Sequence, residues 1–185
     1  RIAPLDSEAY RERFGFPVRE FYEGLGFDFA REDFSLVSAA FIARYRIEAV
    51  TAAPAADVPV VMRALEAARV TQSVLSAMEH AMLLGMLGQH GLLSRLRHVR
   101  GLSDLHATSK VALGISLMAE LAEHPDEVLF VGDTLHDLET ANAMGCRCVL
   151  LARGHQTEAR LQKSGARVIR SLSEVVEIVH GGQAV

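Results

Sequence analysis

Two different patterns of apolar residues divide this chain. Before residue 57, apolar positions recur at helical spacing, most clearly after Asp33, where Phe34, Val37, Phe41 and Tyr45 fall on one face of a predicted helix. No strand pattern occurs there. The other elements predicted in this part are helices over 7–14 and 18–25 and a linker over 51–57. The pattern predicts a small all-helical region over 1–56.

After the linker, short apolar runs alternate with helical patterns. The strands predicted here cover 72–77, 98–102, 127–133, 147–152 and 166–170. The helices predicted between and around them cover 60–68, 79–90, 111–122, a stretch ending near 144, 157–164 and 173–179. The run 128–131 is continuously apolar, which is typical of a parallel strand covered on both faces. Strands that alternate with helices predict an α/β domain with a mostly parallel sheet over 57–185.

Composition narrows the class of protein. The chain has 185 residues, of which 50% are hydrophobic and 23% charged, and this is enough for one buried core with a small appendage. A formal net charge of -4 without a basic stretch disfavours a nucleic-acid surface. Without an apolar run of ~20 residues or a signal peptide, we expect no membrane partner and a cytoplasmic location. The sequence does not choose between a monomer and a homodimer. Cys146 and Cys148 fit reduced core residues.

Two carboxylates follow the most apolar predicted strand. Gly132 and Asp133 end that strand, and Asp137 comes four residues later in the turn into the next helix. Ligands of such sheets bind beyond the carboxyl ends of the strands. Glycine allows a ligand to approach the backbone closely, and two facing carboxylates suit a magnesium ion. The alternative for Asp137 is a helix cap.

A cation and a hydroxyl fall at neighbouring positions of the predicted sheet. Lys110 lies at the start of a predicted helix, where the helix dipole disfavours a cation. Of the 19 basic residues in the chain, only Lys110 and Lys163 are lysines, so a lysine at this position is unusual and indicates a function. A lysine ammonium suits phosphate neutralisation, whereas the alternative is a solvated surface residue. Ser76 lies near the end of the predicted strand 72–77, and two roles are open for its hydroxyl: binding a ligand or capping the next helix. His136 and His155 flank the same strand ends. For each, the alternatives are a substrate contact and a solvated loop residue.

Together these residues resemble the motifs of the haloacid dehalogenase superfamily, in particular its phosphoglycolate-phosphatase-like branch. Segment 72–76 resembles the second family motif, Ser109 and Lys110 resemble the third, and segment 128–137 (VLFVGDTLHD) resembles the fourth, GDxxxD, which is the most specific. The likeness covers the whole chain. It implies an α/β fold with a Rossmann-like parallel sheet and a small all-helical cap.

The resemblance also implies a reaction and a set of roles. It implies magnesium-dependent hydrolysis of small phosphorylated metabolites through an aspartyl-phosphate intermediate. Ser76 and Ala77 would bind the phosphate, and Lys110 would neutralise charge on the phosphate and the nucleophile. Asp133 would bind Mg²⁺ directly, and Asp137 would support it. Charge neutralisation and positioning are what phosphoryl transfer requires.

The first family motif, DxDGT at the end of a strand, is absent. The nearest look-alike, segment 4–7, follows no strand and has no second aspartate at the required spacing. The chain begins with Arg, so we expect a fragment or processed product whose gene encodes the motif upstream of residue 1. We expect the 185-residue chain alone to be inactive.

The absent strand has a structural consequence and leaves an alternative function open. In this family it lies between the strands that end at Ser76 and Asp133, so two strands should lack a neighbour and leave backbone groups unpaired. The alternative is a catalytically inactive relative that binds phosphate or a protein partner. A receiver domain is disfavoured by the helical N-terminal region, and a dinucleotide enzyme by the lack of a G-x-G-x-x-G motif.

Overall fold

The computed structural model describes residues 4–49, 51–102 and 110–181. Its helices are α1 (Ser7–Arg13), α2 (Val18–Gly24), α3 (Phe34–Ala49), α4 (Val58–Ala67), α5 (His80–Gln89), α6 (Lys110–Glu120), α7 (Leu135–Met144), α8 (Glu158–Gln162) and α9 (Ser173–Gly181). Its strands are β1 (Ser73–Glu79), β2 (His98–Leu102), β3 (Leu129–Gly132), β4 (Arg147–Leu151) and β5 (Arg167–Ile169). Ser109, part of the proposed third motif, lies outside the described residues.

The strands form parallel pairs, which confirms the predicted α/β class. β1 pairs with β2, while β3, β4 and β5 form a second sheet in the order β3-β4-β5. The strand boundaries follow the sequence pattern with one correction. β1 does not end near Ser76 but continues to Glu79, because an irregular stretch between Leu75 and Glu79 carries the pairing with β2 onward.

The core lies on both faces of the three-stranded sheet. β4 is central, and its side chains alternate between two apolar clusters: Val149 faces one, whereas Cys148 and Leu150 face the other. Helices α4 and α9 supply the first cluster, and α7 and α8 supply the second. Cys146 and Cys148 are buried and unbridged, as predicted.

The structure corrects the prediction that α3 buries a single apolar face. Phe34 and Val37 are partly covered, but Phe41 is 54% exposed and Tyr45 40% exposed. Apolar residues surround the helix, as the 75% exposure of Ile47 on another side shows, so no single face is selected for burial. Among the described helices, none has the length and apolar character needed to cross a lipid bilayer.

A gap separates the two sheets. Within the described residues, the only strand pairing of β1 is with β2 and that of β3 is with β4, so each leaves one edge unpaired. Both edges line one cavity of about 820 Å³, whose other walls come from α4, α6 and α9. Its lining is largely apolar, and Val131 of β3 is 37% exposed. The expected pair of strands lacking a neighbour is therefore confirmed.

Candidate active site

The turn between β3 and α7 is built around Asp137. Thr134 is the N-cap of α7 and accepts a hydrogen bond from the Asp137 backbone N–H. Oδ2 of Asp137 accepts hydrogen bonds from the backbone N–H groups of Asp133 and Thr134, each at 2.9 Å, and from the Thr134 hydroxyl at 2.8 Å. Asp137 therefore does form a capping box. A methyl group added at Gly132 would lie 2.2 Å from Asp137 Cβ, so the turn requires glycine there.

Lys110 reaches the other oxygen of the same carboxylate. Its Nζ donates to Asp137 Oδ1, and the side chains are only 13% and 4% exposed respectively. Burial alone would raise the pKa of Asp137, but the Lys110 charge and the hydrogen bonds to the carboxylate hold that pKa below its usual value. The contact joins the start of α6 to the start of α7. The negative charge of Asp137 also offsets the unfavourable interaction between the Lys110 cation and the dipole at the N-terminus of α6.

Asp133 is held by the loop that follows β4. The backbone N–H of His155 donates to Asp133 Oδ2 at 2.6 Å. A methyl group at Gly154 would lie 1.9 Å from the same oxygen, so glycine is what lets this loop approach. Among the described contacts, Oδ1 of Asp133 has no donor. One carboxylate oxygen is thus fixed while the other is available.

Ser76 and Ala77 lie in the irregular stretch of β1. The Ser76 hydroxyl accepts a hydrogen bond from the Met78 backbone N–H at 3.1 Å. Ser76 does not cap α5, because the Glu79 side chain accepts the Ala81 N–H there instead. The described hydrogen bonds thus join Lys110, Asp133 and Asp137 into one network, while those of Ser76 stay within its own strand.

The network stands beside the gap between the sheets. Nζ of Lys110 lies 5.4 Å from the centroid of the Phe130 ring, and Phe130 is part of the cavity wall. Asp133 follows β3 directly, the strand whose free edge borders the cavity. A strand added to this edge would therefore end close to the lysine and both carboxylates.

The donor set fits a hard cation with few protein ligands. Among the described residues, no group of three His, Cys, Asp or Glu side chains is placed to hold a metal. Magnesium does not need such a group, because it is held by one or two carboxylates together with water and phosphate oxygens. Oδ1 of Asp133 meets that requirement, whereas both oxygens of Asp137 are already engaged.

Sequence reasoning missed the contribution of residues 154–155 and of Tyr10. The Tyr10 hydroxyl and His155 Nδ1 are 2.8 Å apart, and burial together with the charge of Asp133 raises the pKa of Tyr10 to about 12. The sequence predicts for His155 only a substrate contact or a solvated loop position. The glycine before it, following a strand, was the available signal for close backbone approach.

Comparisons with known proteins agree with this architecture. Residues 111–175 match the family model described as HAD-hydrolase-like. No curated protein matches the sequence significantly. Several solved structures are similar in fold, and three of them illustrate the range. A haloacid dehalogenase-like family hydrolase from Streptococcus pneumoniae has a TM-score of 0.81 at 13% identity, over 96% of this chain and 82% of that one.

Two further similar structures carry different names. Protein tyrosine kinase A from Mycobacterium tuberculosis has a TM-score of 0.77 at 20% identity, over 95% of this chain and 82% of that one. A predicted phosphoglycolate phosphatase from Haemophilus somnus has a TM-score of 0.66 at 20% identity, over 74% of this chain and 63% of that one.

These findings agree on the fold. It is haloacid-dehalogenase-like, as the resemblance implies, and the segment that carries α6 to the start of α9 matches the family model.

Proposed function

We propose that this protein hydrolyses small phosphomonoesters with the help of Mg²⁺. The observation that carries the proposal is the network that joins Lys110, Asp137 and Asp133 beside an open strand position. Phosphoryl transfer depends mainly on fixed charge around the phosphate. A buried lysine, held by a buried carboxylate, is a fixed positive charge of this kind.

Each residue has a distinct task in the proposed reaction. Lys110 has three N–H donors, and its described hydrogen bond to Asp137 leaves others to contact the phosphate. Asp137 keeps Lys110 in place and shapes the turn through its hydrogen bonds to residues 133 and 134. Asp133 would hold the magnesium through Oδ1, and the metal would neutralise negative charge on the phosphate. Ser76 and Ala77 would bind a phosphate oxygen from β1.

The attacking group belongs in the gap between β1 and β3. We propose that a strand fills this position and ends in an aspartate next to Lys110, as the family resemblance implies. That carboxylate would attack phosphorus as the ester P–O bond breaks, and a second aspartate two residues on, which the resemblance also implies, would protonate the departing alcohol. The same aspartate would then take a proton from the water that hydrolyses the aspartyl phosphate, which releases inorganic phosphate and restores the carboxylate. The two unpaired edges and the apolar cavity support this placement, because both are the surroundings that a buried parallel strand requires.

The proposal is tested by turnover of p-nitrophenyl phosphate by the product of the complete gene. We expect Mg²⁺-dependent hydrolysis that falls by roughly 10²-fold or more in Asp133→Asn and in Lys110→Met, in line with the loss of one charge-stabilising group. Lys163→Met is the matched control, because Lys163 is exposed at the end of α8 and no described hydrogen bond or ion pair links it to this network. Equal activity of wild type, Asp133→Asn and Lys110→Met would refute the assignment.

The test also separates the alternative function. A catalytically inactive relative that binds phosphate would show no turnover with or without Mg²⁺, yet would bind inorganic phosphate in a manner lost with Lys110→Met. The buried charge pair fits both functions, whereas the available oxygen of Asp133 favours a site that also takes a cation.

A further inference from the structure

The loop of residues 152–157, which follows β4, is the support on which Asp133 rests. Its His155 N–H donates to Asp133 Oδ2 at 2.6 Å, and Gly154 permits that approach. A hydrogen bond from a neutral N–H to a carboxylate is stronger than one between neutral groups. The position of this loop therefore determines where the Asp133 carboxylate lies.

The same loop is attached to the N-terminal helical region. The Tyr10 hydroxyl lies 2.8 Å from His155 Nδ1, and the Phe14 ring lies against the same imidazole at 5.0 Å between centroids. Gln156, 2% exposed, donates from Nε2 to the Phe14 carbonyl at 3.0 Å and accepts the Leu135 N–H at 2.8 Å. One buried side chain thus joins α1 to the first residue of α7.

A second attachment reaches the segment between α3 and α4. Both terminal nitrogens of Arg153 donate to Asp57, to Oδ2 and to Oδ1, each at 2.8 Å. These hydrogen bonds lower the pKa of Asp57, so the pair stays charged at neutral pH. A two-point arginine–carboxylate contact fixes orientation as well as distance.

We infer that the 152–157 loop is a positioning element that couples the placement of the N-terminal helical region to the Asp133 carboxylate. The attachment from that region is at Tyr10, and a second attachment, at Asp57 directly before α4, holds the other side of a loop whose backbone holds Asp133. His155, Arg153 and Tyr10 are positioning residues in this arrangement. The consequence for metal binding rests on the proposed function, because it takes Asp133 as the magnesium ligand.

The coupling itself is tested without any metal, by NMR of the 185-residue protein. Tyr10→Phe removes only the hydroxyl, and Asp57→Asn removes only the charge that Arg153 contacts. We expect hydrogen exchange of the His155 amide to accelerate about tenfold in each variant, because exchange reports local opening. We also expect a more than additive change in the double variant. Glu48→Gln is the control, because it removes an exposed ion pair with Arg44 within α3, and both residues are remote from the loop in the sequence.

Mn²⁺ binding, followed by electron paramagnetic resonance, tests the consequence for the site. Gly154→Ala places a methyl group against Asp133 and should weaken Mn²⁺ binding about tenfold or more, whereas Gly85→Ala, with open space around it, should not. Tyr10→Phe should weaken it by a smaller factor and serves if Gly154→Ala does not fold.

The outcomes distinguish this inference from the proposed function. An unchanged His155 amide in both Tyr10→Phe and Asp57→Asn overturns the coupling, whatever the metal result. A responsive amide in a protein that binds no Mn²⁺ leaves the coupling standing and contradicts the proposed metal role of Asp133. Equal Mn²⁺ affinity in wild type, Gly154→Ala and Tyr10→Phe contradicts the link between the loop and the site.

Discussion

Lys110, the first residue of α6, donates a hydrogen bond to Asp137, the third residue of α7, in a setting where both side chains are almost fully covered. The pair joins the two helices that carry the second half of the candidate site. Oδ2 of Asp137 is at the same time occupied by the backbone and hydroxyl of the β3–α7 turn. The buried carboxylate of Asp137 thus fixes the position of Lys110 and the conformation of the turn that carries Asp133.

Breaking this pair from the carboxylate side should be costly. We expect Asp137→Asn to lower the free energy of unfolding by about 3–5 kcal/mol, because a buried lysine then lacks its countercharge. Lys110→Met should lower the free energy of unfolding by less, because Asp137 still accepts the hydrogen bonds from the backbone N–H groups of residues 133 and 134. Urea unfolding measures both. In the matched control, Glu48→Gln removes an exposed pair with Arg44 and should cost less than about 1 kcal/mol. Equal costs for the buried and the exposed pair would contradict the structure.

The pair also predicts how stability depends on pH. The pKa of Asp137 is lower in the folded protein than its ordinary value, so its contribution is fully present above the unfolded value of about 3.9. It is lost as pH falls below that value towards the folded pKa. The difference in unfolding free energy between wild type and Asp137→Asn should therefore be constant from pH 7 to about 5 and shrink below about 4. A difference that grows on acidification would have the wrong sign.

Gly132 should not tolerate a side chain. In Gly132→Ala the added methyl group would meet Asp137 Cβ at 2.2 Å, so the turn or the carboxylate must shift. We expect a destabilisation of about 1–3 kcal/mol, typical of an overpacked site. Gly85→Ala in α5 is the opposite case, since nothing lies within 4 Å and alanine favours a helix by up to about 1 kcal/mol. Thermal unfolding of both variants would settle the contrast; a neutral Gly132→Ala would argue against the packed turn.

How far the sequence predicts this fold depends on how local each signal is. The apolar run 128–131 followed by Gly132 and Asp133 predicts β3 and its turn, because strand, glycine and carboxylate are adjacent. The boundary of β1 is less accessible, since the strand continues past Ser76 only through its pairing with β2. For α3, the spacing of Phe34, Val37, Phe41 and Tyr45 predicts a helix but not which of them is covered.

The candidate site shows the same division. The residue types of Lys110, Asp133 and Asp137 could be selected from the sequence because each breaks or ends a local pattern. The assignment of both oxygens of Asp137 to Lys110 and the turn could not, because it depends on how two helices meet. The His155 N–H on Asp133 joins residues 22 positions apart through a backbone group, which carries no sequence signature.

The gap between the sheets should bind an extended apolar chain. In the part of the chain that the structure describes, two strand edges are unpaired along an apolar cavity of about 820 Å³, more than five times the roughly 150 Å³ that suffices to bind benzene. We expect it to bind the dye ANS, and a short peptide rich in Val and Ile to displace the dye. The same peptide with a central Pro is the control, because Pro cannot donate to the ladder. Displacement by both peptides alike, or by neither, would show that the edges do not pair with a strand.

The most direct measurement of the central claim is a crystal structure of the protein grown with Mn²⁺ and tungstate, a phosphate analogue. We expect a manganese ion on Oδ1 of Asp133 and a tungstate whose oxygens contact Lys110 Nζ and Ser76 Oγ, at the end of the gap between β1 and β3. Tungstate and manganese bound elsewhere, with Lys110 and Ser76 both without a ligand, would contradict it.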